Sequence, residues 1–219
     1  MESFDRFAHT YGRYNIIQKQ IIQKYINSLS EKIVDLGCGS EGLCKYRNFK
    51  FYLGVDSSKK MIAKNPCNTI LADFNTPECY EIIKKYDFDQ IVSFSALQWA
   101  VDIEFVFKQI HKLQKKYLLA IFTSNTFKTL HSYLNMCSPI YSKEEIIKYS
   151  QILSPKTETL KYKITFKTPQ EMLRYIKFSG VGGNTSADIV KLRKFIKEFP
   201  FNFLEFEIVV LTDTHPVSS

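Results

Sequence analysis

Residues Ile33 to Gly42 read IVDLGCGSEG. Two β-branched residues run into an acid, Asp35, and three of the chain's eight glycines, Gly37, Gly39 and Gly42, then fall within six positions. Branched apolar residues favour a buried strand. Glycines spaced this way suit a tight turn whose backbone approaches a ligand closely, and a helix is expected just beyond it. The stretch therefore predicts a strand that ends in a binding turn.

Outward from that turn the chain alternates. Phe51 to Val55 is an apolar strand ending in Asp56, with Ser57 expected to cap a helix through Met61. Thr69 to Ala72 is a third strand followed by Asp73 and Phe74, and residues 76–86 carry Ile82, Ile83 and Tyr86 on one helical side. Asp89 to Ser93 and the almost wholly apolar Leu118 to Thr123 are further strands. Alternation of this kind implies a parallel sheet with helices on its faces and a ligand in the crevice outside the strand carboxyl ends. Gly37, Asp56, Asp73 and Ser93 all fall on that edge.

Before the first strand, Ile16, Ile17, Ile21, Ile22, Tyr25, Ile26 and Leu29 recur at helical spacing, after an aromatic leader of Phe4, Phe7, Tyr11 and Tyr14. Beyond residue 124 helices are expected over Thr126 to Cys137, Ser142 to Tyr149, Pro169 to Lys177 and 186–197. Alternation predicts strands over Glu158 to Phe166 and Phe203 to Leu211. Gly180 to Gly183 reads as a loop, and residues 212–219 as a fraying tail. The organisation expected is one domain over 1–219, with a helical lid over 1–30 and a substrate-side insertion over 124–200.

A chain of 219 residues, 45% hydrophobic and 24% charged, can bury one sizeable core. No apolar run is long enough to span a bilayer, and MESFDRFAHTYGRY is too polar for a signal peptide, so a cytoplasmic protein is expected. Five cysteines, Cys38, Cys44, Cys67, Cys79 and Cys137, form no C-x-x-C pair. An odd number without that spacing predicts reduced, structural thiols and no metal site. The net charge is +8, and residues 141–199 hold 12 Lys and Arg against 6 Asp and Glu. An acidic partner would match that surplus, although many such runs are simply solvated faces.

Gly37, Gly39 and Gly42 fit the dinucleotide fingerprint G-x-G-x-x-G literally, a match of low specificity. Asp35, two residues before the first glycine, gives a D-x-G-C-G core that resembles motif I of the class I S-adenosylmethionine-dependent methyltransferases. The resemblance implies a Rossmann-like fold with a seven-stranded, mostly parallel sheet and a helical lid or insertion after strand five. It implies S-adenosyl-L-methionine as cofactor, held by Asp35, Gly37, Cys38, Gly39, Asp56, Ser57, Met61, Asp73, Phe74 and Ser93. Asp56 would meet the ribose hydroxyls, and Asp73 the exocyclic amine of adenine. Glu41 departs from the pattern, since the family usually has glycine there, and the loop is expected to re-route through Gly42.

Further stretches narrow the resemblance. SALQW at Ser95 to Trp99 is similar to methyltransferases of small carboxylic acids. With FDRFAHTYGRYNIIQKQ near the N-terminus and LRYIKFSGVGGN over Leu173 to Asn184, the chain resembles the malonyl-acyl-carrier-protein O-methyltransferases that open biotin synthesis. A carboxylate acceptor is already ionised at neutral pH, so no general base is needed. That suits a chain with four histidines, none beside an obvious acid. Arg174 and Lys177 would hold the malonyl carboxylate, and Tyr11 and Trp99 would wall the pocket. The expected protein partner is an acidic acyl carrier protein, with no nucleic acid or membrane, and the chain is expected to be a monomer. The alternatives are a small free-acid enzyme of the trans-aconitate type and a non-catalytic cofactor-binding module; the chain lacks the N-P-P-Y type motif of an RNA methyltransferase.

Overall fold

The computed structural model describes residues 15–178 and 198–213. The aromatic leader, including Tyr11, lies outside them, as do the Gly180 to Gly183 loop, the whole of the helix expected over 186–197 and residues 214–219. Described elements run α1 (Ile16–Tyr25), β1 (Lys32–Leu36), β2 (Phe51–Asp56), α2 (Lys59–Ile62), β3 (Thr69–Leu71), α3 (Pro77–Ile83), β4 (Gln90–Phe94) and α4 (Ile103–Leu113). They continue with β5 (Lys116–Phe122), α5 (Lys128–Tyr133), α6 (Lys143–Ser150), β6 (Lys156–Thr165), α7 (Pro169–Phe178) and β7 (Phe203–Thr212).

The seven strands form one sheet in the order β3-β2-β1-β4-β5-β7-β6. β1 to β5 are parallel; β7 runs antiparallel to both β5 and β6. The chain winds outward one way from β1 to β3 and then restarts beside β1 at β4, where Ile33 pairs with Gln90. That reversal opens a crevice at the carboxyl ends, because loops leave β1 and β4 in opposite directions.

The two sheet faces carry separate apolar layers. Ile17 and Ile21 of α1 pack with Met172 and Tyr175 of α7 over Phe122 and Phe206. On the other face, Ile103, Val106, Phe107 and Ile110 of α4 follow the 3.6-residue period and bury against Leu119 and Ile121. β5, buried from Tyr117 to Phe122, contributes side chains to both layers and carries no charged residue over that span.

Four sequence expectations are corrected. The cysteines are not all reduced, since Cys44 and Cys67 form a disulfide with Cα atoms 5.9 Å apart. Pairing follows spatial approach, which the turn at Gly42 (φ 61°) provides and which no count of cysteines reveals. No α-helix follows the glycine loop; a single 3-10 turn, Leu43–Lys45, stands there, held by the disulfide. Ser58, not Ser57, caps α2, its Oγ accepting from Met61 N at 3.2 Å. The helix expected over Thr126 to Cys137 shrinks to α5, bracketed by Phe127 and Asn135 at positive φ. By contrast, Ser142 and Glu145 form the expected capping box at α6.

The disulfide closes a loop between residues 23 apart. A closure of that length constrains the unfolded chain by about 3 kcal/mol. Reduction, or the Cys44→Ser/Cys67→Ser pair, is expected to lower Tm by roughly 6–12 °C. Calorimetric scans with and without a dithiol reductant check this, and melting that ignores the reductant would contradict the tie.

Candidate functional site: a cleft over the glycine loop

β1 ends at Leu36, and the following turn folds back under β2. Gly37 N and Cys38 N donate to Val55 O at 2.8 and 3.1 Å. Gly37 sits at φ 75°, and a Cβ there would lie 2.1 Å from Ala96 Cβ, so only glycine lets the β4 loop lie this close. Gly39, at φ 59°, has nothing within 4 Å of where a Cβ would stand, and faces open space. The turn is packed on one side and bare on the other.

Asp56 at the end of β2 holds this turn. Its Oδ2 accepts from Gly39 N and its Oδ1 from Ser58 N, each at 2.9 Å. Two backbone amides occupy two of the carboxylate's four acceptor positions. Asn65 adds a second tie, donating Nδ2 to Gly39 O at 2.8 Å. Beyond β3, Asp73 Oδ1 accepts from Asn75 N at 2.9 Å and Asn75 Nδ2 at 2.8 Å, which orients its carboxylate within the loop.

These corners enclose a cleft of about 280 Å³ lined by Gly37, Gly39, Asp56, Ser57, Ser58, Met61, Asp73, Phe74, Asn75, Ser95, Ala96, Trp99 and Val101. Its make-up of two acids among apolar and aromatic walls is that of a small-ligand site. A smaller cavity beneath the loop carries Asn15, Gln18, Asp35, Cys38, Glu41 and Tyr46, and shares Gly37, Gly39 and Ser95 with the cleft. Among the described residues no three His, Cys, Asp or Glu side chains converge to hold a metal ion, and no helix is long and apolar enough to cross a membrane.

Gly37, Gly39, Asp56, Ser57, Met61, Asp73, Phe74 and Trp99 are thus brought together, and Asp35 and Cys38 line the smaller cavity. Ser93 is not brought in. Its side chain is fully buried and donates to Leu36 O at 2.8 Å, tying β4 to β1 inside the core. Two residues on, past the true end of β4 at Phe94, Ser95 takes its place on the wall, a shift visible in sequence only if the strand end is set one residue later. Asn75, Ala96 and Val101 are further lining residues that no spacing marked. Arg174 is exposed on α7 and lines neither cavity. The side chain of Lys177 and all of Tyr11 lie outside the described residues.

Glu41 does not disturb the loop. Its Oε2 accepts from Asn15 Nδ2 at 2.8 Å, and its Oε1 lies 3.7 Å from Lys19 Nζ, which fastens α1 to the turn. The thiol of Cys38 is pushed far up by burial and by Asp35 and Asp56, so it stays protonated and poorly nucleophilic. Burial raises the Asp35 carboxyl to about 7, against a hydrogen bond from Tyr52 Oη at 2.8 Å that lowers it, with Asp56 raising it further.

Residues 34–119 match a family model described as a methyltransferase domain. Across the whole sheet, the chain superposes on the Haemonchus contortus phosphoethanolamine N-methyltransferase 2, a structure in complex with S-adenosyl-L-methionine, with a TM-score of 0.56. That match covers 96% of this chain and 57% of the other at 15% identity. The fold is that of the class I Rossmann-like methyltransferases. Among curated relatives, a malonyl-[acyl-carrier protein] O-methyltransferase of Priestia megaterium is 28% identical, covering 59% of this chain and 53% of its own. A ubiquinone biosynthesis O-methyltransferase of Pelagibacter ubique is 29% identical, covering 69% and 65%. The chain thus spans between half and two thirds of the length of these relatives.

An acid whose native pKa is raised binds its proton more tightly folded than unfolded, so its contribution to stability is complete below about pH 4 and is lost as pH rises through about 7. Asp35→Asn is expected to flatten that fall, and urea unfolding at pH 5 and pH 8 measures it; an identical slope in both proteins would contradict the raised pKa. Gly37→Ala is expected to cost several kcal/mol more than Gly39→Ala, because only the former meets Ala96. Equal unfolding midpoints would refute that difference.

Proposed function

We propose that the protein is an S-adenosyl-L-methionine-dependent methyltransferase acting on a carboxylate, with the malonyl thioester of an acidic acyl carrier protein as its acceptor. The observation that carries the cofactor is the cleft itself, where two acids at the ends of neighbouring strands stand over a glycine turn whose outer side is bare. The residues fit the cofactor. Asp56 lines the cleft at the end of β2 where ribose hydroxyls would lie, Met61 and Phe74 offer apolar walls to adenine, and Asp73 can accept from its amine. Buried Asn15 Oδ1 and Ser95 Oγ have no partner among the described residues, and both border the cavity beneath the loop.

When bound, the cofactor would supply an electrophilic methyl group on a sulfonium. The chain's own part is to position and to exclude water. Trp99 and Val101 form the outer wall of the cleft, and Tyr141 Oη braces them by donating to a carbonyl of Ala100 or Val101 and accepting from Ile103 N. No histidine lines the cleft among the described residues, and its only charged groups are Asp56 and Asp73, both committed to loop amides. This suits an acceptor that arrives already ionised, as a carboxylate does and a phenol does not. Neutralising a carboxylate against a sulfonium is favoured where water is excluded. The basic 141–199 stretch, which includes the exposed Arg174, is proposed to meet the acidic carrier.

Isothermal titration is expected to show cofactor binding that Asp56→Ala weakens at least about tenfold. Radiolabelled methyl transfer should proceed onto malonyl carrier protein and not onto free malonate or trans-aconitate, and the gene should rescue a biotin auxotroph lacking this step. Transfer to a free acid alone would replace the carrier-bound acceptor. Binding without transfer to any acid would make the protein a cofactor-binding module.

A further inference from the structure

Ser95, the first residue beyond β4, has φ 65°, a left-handed conformation that strains any residue with a Cβ. Its backbone is held on both sides. The N–H donates to Ala120 O at 2.8 Å, and the carbonyl accepts from Gln98 Nε2 at 2.7 Å. The next residue, Ala96, fills the space that a side chain at position 37 would need. The residue is only 8% exposed, and its Oγ is buried with no hydrogen-bond partner among the described residues. Glycine would remove both the strain and the unpaired hydroxyl at no cost to the loop, so serine here is locally the worse choice.

The position shows what the hydroxyl is for. Gly37, Gly39 and Ser95 are the residues shared by the cleft and the cavity beneath the loop, and of these only Ser95 has a side chain. The cleft presents Asp56, Met61, Asp73 and Phe74, a set that suits a nucleoside. The lower cavity presents Asn15, Gln18, Asp35 and Glu41, polar groups that suit an amino acid's charged end. A ligand with both parts must pass Ser95 at the joint between them.

We infer that Ser95 Oγ contacts the cofactor at its sulfonium and distinguishes the charged methyl donor from its demethylated product. The inference rests on the cofactor reading above and goes beyond it. A hydroxyl oxygen offers lone pairs to a cation and gains only a weak O–H···S contact from the neutral thioether that is left after transfer. A residue placed there favours release of product over donor, which matters because the two ligands otherwise share every contact.

Titration calorimetry with S-adenosyl-L-methionine and S-adenosylhomocysteine on wild type, Ser95→Ala and Ser95→Gly tests it, with a melting curve for each protein. Both variants are expected to lose about tenfold in preference for the charged ligand while their affinity for the product stays unchanged. Ser95→Gly alone should also melt higher, since it relieves the backbone. An unchanged preference, or equal losses for both ligands, would overturn the assignment. Wild type that binds neither ligand would instead overturn the cofactor reading, and this inference with it.

Discussion

Both carboxylate oxygens of Asp56 are spent on backbone amides of different loops, Gly39 N on one side and Ser58 N on the other. Parallel strands end at one edge, and the loops that leave it cannot pair with each other as strands do, so their donors need another acceptor. One acid at the end of β2 satisfies two of them and fixes the distance between the glycine turn and the start of α2. The cleft is the space left over once that corner is tied.

Other features follow from holding this corner still. Gly37 allows the β4 loop to lie against the turn, with Ala96 filling the place of its missing side chain. Asn65 binds the Gly39 carbonyl while accepting from Cys67 N at 2.9 Å, and Cys67 is in turn bonded to Cys44, so a covalent clasp backs the turn from behind. Glu41, at a position where glycine was expected, reaches α1 through Asn15 and Lys19. What reads as a departure in the loop is a tether for the helix that covers it.

Much of this was legible in the sequence because it depends on period and punctuation. The strand positions, the alternation and the acids after β2 and β3 are local patterns, and local patterns survive folding. What was not legible depended on chain segments meeting in space. The Cys44–Cys67 pair joins two loops across 23 residues, and an odd cysteine count argued the other way. The helix expected after the glycine turn is absent because that clasp and the left-handed Gly42 leave room for a single 3-10 turn. Ser93 and Ser95 differ by two positions and so look interchangeable on a strand, yet one ties β4 to β1 in the core while the other, past the strand end, faces the ligand space. Arg174 looked like a carboxylate grip because of its spacing from Lys177, but spacing on a helix says nothing of which surface the helix turns toward the cleft.

The proposed site seats the whole cofactor along one crevice edge. Hydrogen–deuterium exchange with and without S-adenosylhomocysteine tests it most directly. Slowed exchange is expected, confined to peptides covering 15–18, 37–42, 56–61, 73–75 and 95–101, with β6 at the far edge of the sheet unchanged. Protection that spares the glycine turn, or that centres on β6 and α7, would contradict it.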